Sequence, residues 1–485
     1  MYVLGIDLGT QGARAIIADL EGQVNSQAVS DFPLDQIASS SPGCFEQDPR
    51  TWREAVYDAL AQAVAAFRQA GNPPEAIAAL SVTSTSGTLC LVDADGEPVG
   101  PAIMYSDSRA SQAAAKVQAI AGELAAKLGT GFSASFALSK LRWLQQEQPH
   151  RLEQARWFLS PTDLVNGWLS GTWGRTDWTN ALKWGYDIID LHWPALIERD
   201  LHLPLNKFPA VQAPGTPLGQ VTAEAAARIG LRAGTPVIAG STDGTASQLA
   251  SGAVRPGDWN STLGTTLVLK GVSEQLLRDP LGRIYCHRHP DGYWLPGGAS
   301  STGADCLTQR FDARRLDALN AAALAHSPTD LLIYPLMRRG ERFPFTKPDA
   351  TGFVLGETSN EITYFAAHLE GIAYVERLSY EVIEELGAPV GDTLYVAGGG
   401  THSLAGLQIR ADVLGWSLRV PQVPSGAMGA AILAARGQFF PTLAAATARM
   451  IHFERVVDPR PEYQAAYDER YQRFLAACRE RGYLP

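Results

Sequence analysis

The residues of this sequence whose types and spacing could do chemistry are two Gly-Thr turns, one strand-end aspartate and one triple glycine. Gly9, Thr10 and Gly12 follow Val3 to Leu8, and Gly264, Thr265 and Thr266 follow Trp259 to Leu263. Glycine lets a backbone approach a ligand closely and point several N–H groups at it, so each turn could hold a phosphate and the pair could clamp one polyphosphate. Asp7, beside the first turn, could orient Mg²⁺, which binds through one or two carboxylates and several waters. Asp243, in Gly240-Ser241-Thr242-Asp243-Gly244, could take the proton of a hydroxyl nucleophile. Gly398, Gly399 and Gly400 would let an adenosine lie against backbone. Each feature also has a plain structural reading: glycines that serve only their turns, Asp7 bonding its own turn, Asp243 as a helix N-cap, and a triple glycine that packs a strand on a helix.

The elements around these residues follow from periodicity. Val3 to Ile6 and Ala15 to Ile17 flank the first turn as a β-hairpin, and Trp259 to Leu263 with Leu267 to Leu269 repeat the pattern around the second. Leu-Gly-Thr recurs at 8–10 and 263–265, each time at a hairpin tip opening about half of the chain, which points to two related halves. Asp48-Pro49 starts a helix with Trp52, Val56, Leu60, Val64 and Phe67 inside, closed by Gly71. Residues 78–83, 89–92 and 236–239 read as strands, and the last delivers Asp243. A long helix begins at Asn360-Glu361 and stops at Gly387, a strand over 393–397 enters the triple glycine, and a helix from about 403 ends at Gly415. The domain boundary falls near 247–256, giving units 1–247 and 248–485.

Composition narrows the class. With 485 residues, 46% hydrophobic and 19% charged, the chain is long enough for two large folded domains. Its formal charge of −10 offers no attraction for nucleic acid or an anionic membrane, so a small ligand is the expected partner. The longest apolar runs fall short of the ~18 to 20 residues of a membrane span, and a cytoplasmic location is expected. Five cysteines without a CxxC pair read as reduced, mostly buried residues. GxxxxGK[ST], a strand-following GxGxxG and HExxH are all missing. His287 and His289 share one strand face and read as packing, not a metal pair. Trp178 and Trp184, around 180–183, are placed either in a core or beside a ligand pocket, and Asp107 with Arg109 reads equally as a surface ion pair.

Taken together, Asp7-Leu8-Gly9-Thr10, Lys140-Leu141-Arg142-Trp143-Leu144, Gly240 to Gly244, Gly340-Glu341-Arg342-Phe343-Pro344, and Gly398 to Gly400 followed by Gln408 to Gly415 resemble the FGGY carbohydrate kinases, in family order over residues 3 to about 436. The resemblance implies an α/β fold of two actin-like, ribonuclease H-like ATPase domains with the active site in the cleft between them. It extends to D-ribulose kinases of the cyanobacterial and plant type through Thr83 to Thr88, Thr176 to Tyr186, Gly292-Tyr293-Trp294-Leu295 and Tyr334-Pro335. Bacterial xylulokinases usually carry Met-His where this chain has Thr85-Ser86. Gln11 stands where the ribulose kinases have serine, and Ser84 where they have glycine, which leaves the sugar open.

The implied activity is an ATP-dependent pentulose kinase making a 5-phosphate, D-ribulose first and D-xylulose second. In that reading Asp243 is the base, Asp7 orders Mg²⁺, and Gly9, Thr10, Gly12, Gly264, Thr265 and Thr266 hold phosphates. Gly303 and Gly398 to Gly400 border the adenosine, and Gln11, Ser86 and Asp243 face the sugar. The rival from another class is a nucleotide-switched actin-like sensor, which needs phosphate loops but no base. The stretch 462–478 reads as a packed terminal helix, with a homodimer contact left open.

Overall fold

The computed structural model describes residues 1–33 and 42–485, which cluster into two units. Unit 1 comprises Met1–Ala250, His287–Gly292 and Val423–Ile451, and unit 2 comprises Ser251–Cys286, Tyr293–Gln422 and His452–Pro485.

Unit 1 is built on a sheet of β1 (Tyr2–Leu8), β2 (Gly12–Asp19), β3 (Val24–Asp31), β4 (Ile77–Ser84), β5 (Pro217–Gln220) and β6 (Pro236–Thr242), in the order β5-β6-β4-β1-β2-β3. β1 runs antiparallel to β2 and parallel to β4, and β4 runs parallel to β6. The register sets Leu8 opposite Ser84 and Ser84 opposite Thr242, so three parallel strands end at one edge of the sheet. Such carboxyl ends are where open α/β sheets collect ligand groups. Helix α1 (Pro49–Gln69) is capped by the Asp48 carboxylate on Arg50 N and buries Trp52, Val56, Leu60, Val64 and Phe67. α2 (Ala137–Glu147), α3 (Trp178–Ala181) and α4 (Asp243–Ser251) complete the parts that bear on function.

Unit 2 repeats the plan. Its sheet contains β7 (Trp259–Leu263), β8 (Leu267–Gly271), β9 (Ile284–Arg288, whose last two residues cluster with unit 1), β10 (Trp294–Ala299), β11 (Thr393–Ala397), β12 (Ser417–Pro421) and β13 (Phe453–Val457), ordered β9-β10-β8-β7-β11-β12-β13. β7 is antiparallel to β8 and parallel to β11, β11 is parallel to β12, and β13 closes antiparallel, as β5 does on β6. The expectation of related halves is therefore visible strand by strand. α5 (Glu361–Glu385) and α6 (Leu404–Leu414) cover this sheet.

Helix α7 (Gly426–Gln438) lies in sequence between β12 and β13 of unit 2's sheet but clusters with unit 1. Its residues from Gly426 to Ala435 are buried, and a Cβ on Gly5 of β1 would stand 1.8 Å from Ala427 O. Glycine in the strand lets helix and sheet meet backbone to backbone. α8 (Pro461–Glu480) buries Tyr467, Tyr471, Phe474 and Cys478 in unit 2's core, as a packed terminal helix should. None of the five cysteines forms a disulfide among the described residues, and four of them are buried. Among the described residues, no helix is long and apolar enough to cross a membrane.

Candidate active site

In unit 1 the chemistry collects at the edge where β1, β4 and β6 end. The hairpin β1–β2 turns through 9–11, closed by Gly9 N donating to Gly12 O at 3.0 Å. Two outside contacts fix this tip: Gln47 Nε2 donates to Thr10 O at 2.9 Å and Phe32 N to Gln11 O at 2.8 Å. Gln47 is itself held by Trp52 Nε1 at 2.8 Å, so α1 carries the strut. Gly12 has no room for a side chain, since a Cβ would lie 2.6 Å from Ser30 O.

Asp7 stands one pair below the tip, opposite Arg14, whose guanidinium is 3.8 Å from its carboxylate. Gly426, the first residue of α7, presses on that carboxylate so closely that a Cβ would lie 2.8 Å from Asp7 Cγ. Burial, and then the negative charge of Asp243, push the Asp7 pKa up to about 6, and Arg14 offsets only part of this. The two aspartates therefore feel each other across the sheet edge. Two carboxylates in repulsion beside a phosphate-sized turn are a donor set that suits a hard divalent cation.

Asp243 begins α4 immediately beyond β6 and is half-buried; its carboxylate accepts Gly244 N at 2.6 Å. The helix starts at Asp243 itself and the bond goes to the next residue, so this side chain is not the N-cap of a helix beginning at Gly244. The strand that delivers it is set from α3: Asp177 accepts Thr179 N, Thr179 Oγ1 and Asn180 Nδ2, and Thr179 Oγ1 accepts Thr242 N at 3.0 Å. Burial raises the Asp177 pKa, and burial together with the nearby charge of Asp177 raises that of Asp163 to about 7.

The loop after β4 is held by two lysines. Lys140 Nζ, fully buried, donates to Gly87 O at 3.0 Å and Ala134 O at 2.9 Å, and Lys183 Nζ donates to Ser86 O at 3.2 Å. Burial, then the charge of Lys183, bring the Lys140 pKa down to about 7. Gly87 takes φ +87°, and a Cβ there would strike Ser135 O at 2.3 Å. Ser86 Oγ is buried with no hydrogen-bond partner among the described residues. Trp178 Nε1 donates to Arg288 O, whose guanidinium reaches Ile188 O, which supports the packing reading of the 287–289 segment. Asp107 is buried, and Arg109 bridges it to Glu46.

In unit 2 the second tip, 264–266, closes by Gly264 N donating to Thr266 O at 3.0 Å. Gly264, Thr265, Gly399 and Gly400 line one cavity of about 550 Å³ together with Asp305 and Asn320. That volume is of the size that holds a nucleoside-sized ligand. Gly303 and Gly398 act from behind: a Cβ would lie 2.3 Å from Thr265 O at the first and 2.6 Å from Leu263 O at the second. Thr266 belongs to the tip but not to the cavity lining. Beneath β7, Arg410 pairs through two nitrogens with Glu376 at 2.7 and 2.8 Å, and Ser261 joins them; all three are buried, and Arg410 also lines the cavity.

Sequence reasoning thus located the two tips and both aspartates but missed Gln47, Thr179, Gly426 and the cavity-lining Asp305 and Asn320. Only Asp177, inside the Thr176–Tyr186 stretch, carried a signal toward the Thr179 link, through its cap position before Trp178.

The N-terminal domain of the FGGY family of carbohydrate kinases matches residues 2–250, and its C-terminal domain matches 259–437. Over 498 residues the chain is 26% identical to a xylulose kinase of Staphylococcus epidermidis, covering 99% of this chain and 96% of that protein. It is 28% identical over 516 residues to an autoinducer-2 kinase of Salmonella choleraesuis, covering 100% and 95% respectively. The crystal structure of a xylulose kinase from Rhodospirillum rubrum superposes with a TM-score of 0.87 at 27% identity over 99% of both chains. With both domains matched in order along nearly the whole sequence, the chain belongs to the FGGY family of carbohydrate kinases, phosphotransferases that use an alcohol group as acceptor.

Proposed function

We propose that the protein transfers the γ-phosphoryl group of ATP to the terminal hydroxyl of a ketopentose, D-ribulose before other sugars, giving the 5-phosphate and ADP. The observation that carries this reading is the coupling of Asp243 to Asp7 at the edge where β1 and β6 end. Asp243 is the base: as the sugar oxygen bonds to phosphorus and the bond to ADP breaks, the hydroxyl proton passes to its carboxylate. An alcohol is far too weak an acid to be ionised first, so the transfer comes late and is worth about 10² to 10⁴ in rate. Positioning supplies most of the remainder.

Gly9, Thr10 and Gly12 from unit 1 and Gly264, Thr265 and Thr266 from unit 2 are proposed to hold the phosphates, with Gly303 and Gly398 to Gly400 bordering the adenosine. Asp7 would hold Mg²⁺ through water, and the ion would neutralise charge on the phosphates. Gln11, Ser86 and Asp243 would meet the sugar. Ser86 brings a hydroxyl with unmet hydrogen-bonding capacity, on a loop held from below by Lys140 and Lys183. Thr85-Ser86 in place of Met-His favours D-ribulose. D-xylulose is the second reading, favoured by the likeness to xylulose kinases 25% and 26% identical to this chain. A sensor without kinase activity is not favoured, because it would have no use for Asp243.

The test is a coupled ADP-release assay with D-ribulose, D-xylulose, other ketoses, polyols and glycerol. D-ribulose should give the highest kcat/KM. A clear preference for D-xylulose would replace the first sugar by the second, and no sugar-stimulated turnover at all would overturn the kinase reading.

A further inference from the structure

Glu341 is 3% exposed, and its carboxylate accepts from Ser300 Oγ, Ser301 N, Thr302 Oγ1, Tyr334 OH and Arg342 N, all within 2.9 Å. A carboxylate has about four lone-pair sites, so five donors saturate it. No lysine or arginine forms an ion pair with it among the described residues. A buried charge held by dipoles alone costs desolvation and is tolerated only with full hydrogen bonding.

Three of the five donors belong to the single strap 300–302, and that strap goes directly to the second hairpin tip. Ser300 N donates to Leu267 O and Leu267 N to Thr302 O, both at 2.9 Å, and Ala304 N donates to Gly264 O at 2.8 Å. Between them Gly303 lies flat on Thr265 and Thr266. The tip therefore receives its shape from the strap, and the strap from Glu341.

We propose that Glu341 is a positioning residue for the nucleotide: by fixing residues 300–304 it sets the Gly264-Thr265-Thr266 tip in the geometry that binds the phosphates of ATP. The inference rests on the reading of that tip as a phosphate loop. It gives the Gly340-Glu341-Arg342-Phe343-Pro344 stretch a task in nucleotide affinity, separate from the sugar.

Calorimetric titration of the full-length protein with ADP and Mg²⁺ tests it, alongside KM values for ATP and sugar. Glu341→Ala should weaken ADP binding at least tenfold and raise the ATP KM in step, with the sugar KM changed less than twofold. Glu341→Gln keeps one oxygen for Ser301 N and Arg342 N, and its amide can donate to hydroxyls that rotate, so it should restore affinity to within about threefold of the parent. Thr302→Val removes one donor at constant volume and should weaken ADP two- to fourfold. It decides the matter if Glu341→Ala does not fold: unchanged ADP affinity in Thr302→Val then overturns the proposal. Equal loss of nucleotide and sugar affinity in Glu341→Ala, unrelieved in Glu341→Gln, also overturns it. A parent protein that fails to bind ADP overturns the phosphate-loop reading itself, whereas a binding parent with unaltered variants sinks this inference alone.

Discussion

The two units share one strand plan and differ in the chemistry placed on it. Leu8-Gly9-Thr10 and Leu263-Gly264-Thr265 occupy the same place in their hairpins, but the preceding residue is Asp7 in unit 1 and Thr262 in unit 2. The strand two places along from the hairpin leads into Thr242-Asp243 in unit 1 and ends on Pro421 in unit 2. Unit 1 thus carries two carboxylates at its sheet edge, whereas unit 2's hairpin tip offers neutral backbone and hydroxyls, and its nearest carboxylates, such as Asp305, line the cavity away from the strand ends. Thr262 turns its hydroxyl to Asn260 at 3.0 Å instead of presenting charge. A repeated scaffold thus carries an acidic strand end in one unit and an uncharged hairpin tip in the other, the difference on which the proposed division between base and phosphate loop rests.

Removing the acid that unit 2 lacks should have the largest effect. Asp243→Ala is expected to lower kcat by about 10³-fold or more while ATP still binds, since the proposed base contributes about 10² to 10⁴ in rate and faces the sugar hydroxyl in that reading. Coupled ADP release and calorimetry on the same preparation measure both halves of the statement. Retained turnover would remove the distinction between the units.

The converse change gives unit 2 the charge of unit 1. Thr262→Asp places a carboxylate beneath the second tip, and repulsion of one unit charge near the phosphates should weaken ATP by roughly tenfold or more, about 1.4 kcal/mol, even in a strongly screened site. kcat at saturating ATP and the sugar KM should change little. An unaltered ATP KM would argue that the tip does not hold phosphate.

How much of this division could be read in the sequence depended on whether the cause was local. Hairpin tips, caps and strand ends are set by neighbours in the chain, so Gly9, Thr10, Thr265 and Asp243 stood out by residue type and spacing. The repeated Leu-Gly-Thr similarly foreshadowed the matching sheets. Contacts across large sequence separations left no such mark. Gly426 meets Asp7 over more than four hundred positions, and nothing in Ser425-Gly426 announces that the helix it opens packs on β1. Glu341 was visible as part of a motif, but its grip on 300–302 depends on where a loop returns. Ser86 was read as a sugar contact, and its buried, unpartnered hydroxyl is a fact only packing could supply.

A smaller effect should come from the strut behind Asp243. Thr179→Val keeps the volume but removes the acceptor of Thr242 N, leaving a buried donor unmet at a cost of about 1 to 3 kcal/mol. The melting temperature should fall by several degrees, and kcat by up to roughly tenfold as the strand end relaxes, with the ATP KM unchanged. Thr179→Ser, which keeps the hydroxyl, should recover most of kcat. If Val and Ser behave alike, the hydrogen bond is not what sets the base.

The smallest expected change is a pH effect confined to unit 1. The Asp7 pKa of about 6 in the folded protein lies above its ordinary value of 3.8, so the fold binds this proton more tightly than the unfolded chain does. Its contribution to stability is therefore complete below about pH 4 and is lost as pH rises through about 6. Asp7→Asn, which cannot ionise, should melt higher than the parent at pH 7, and the gap should close as pH falls toward 4. For turnover the sign reverses, because the carboxylate is the useful form: at limiting Mg²⁺, kcat/KM should fall about twofold near pH 6 and recover when Mg²⁺ is raised, as cation and proton compete for one group. Unit 2 has threonine at the matching position, so its hairpin adds no step of this origin. A melting gap that stays constant from pH 7 to pH 4 would show that Asp7 is not the acid strained by its neighbours, and the contrast between the two hairpins would lose its electrostatic basis.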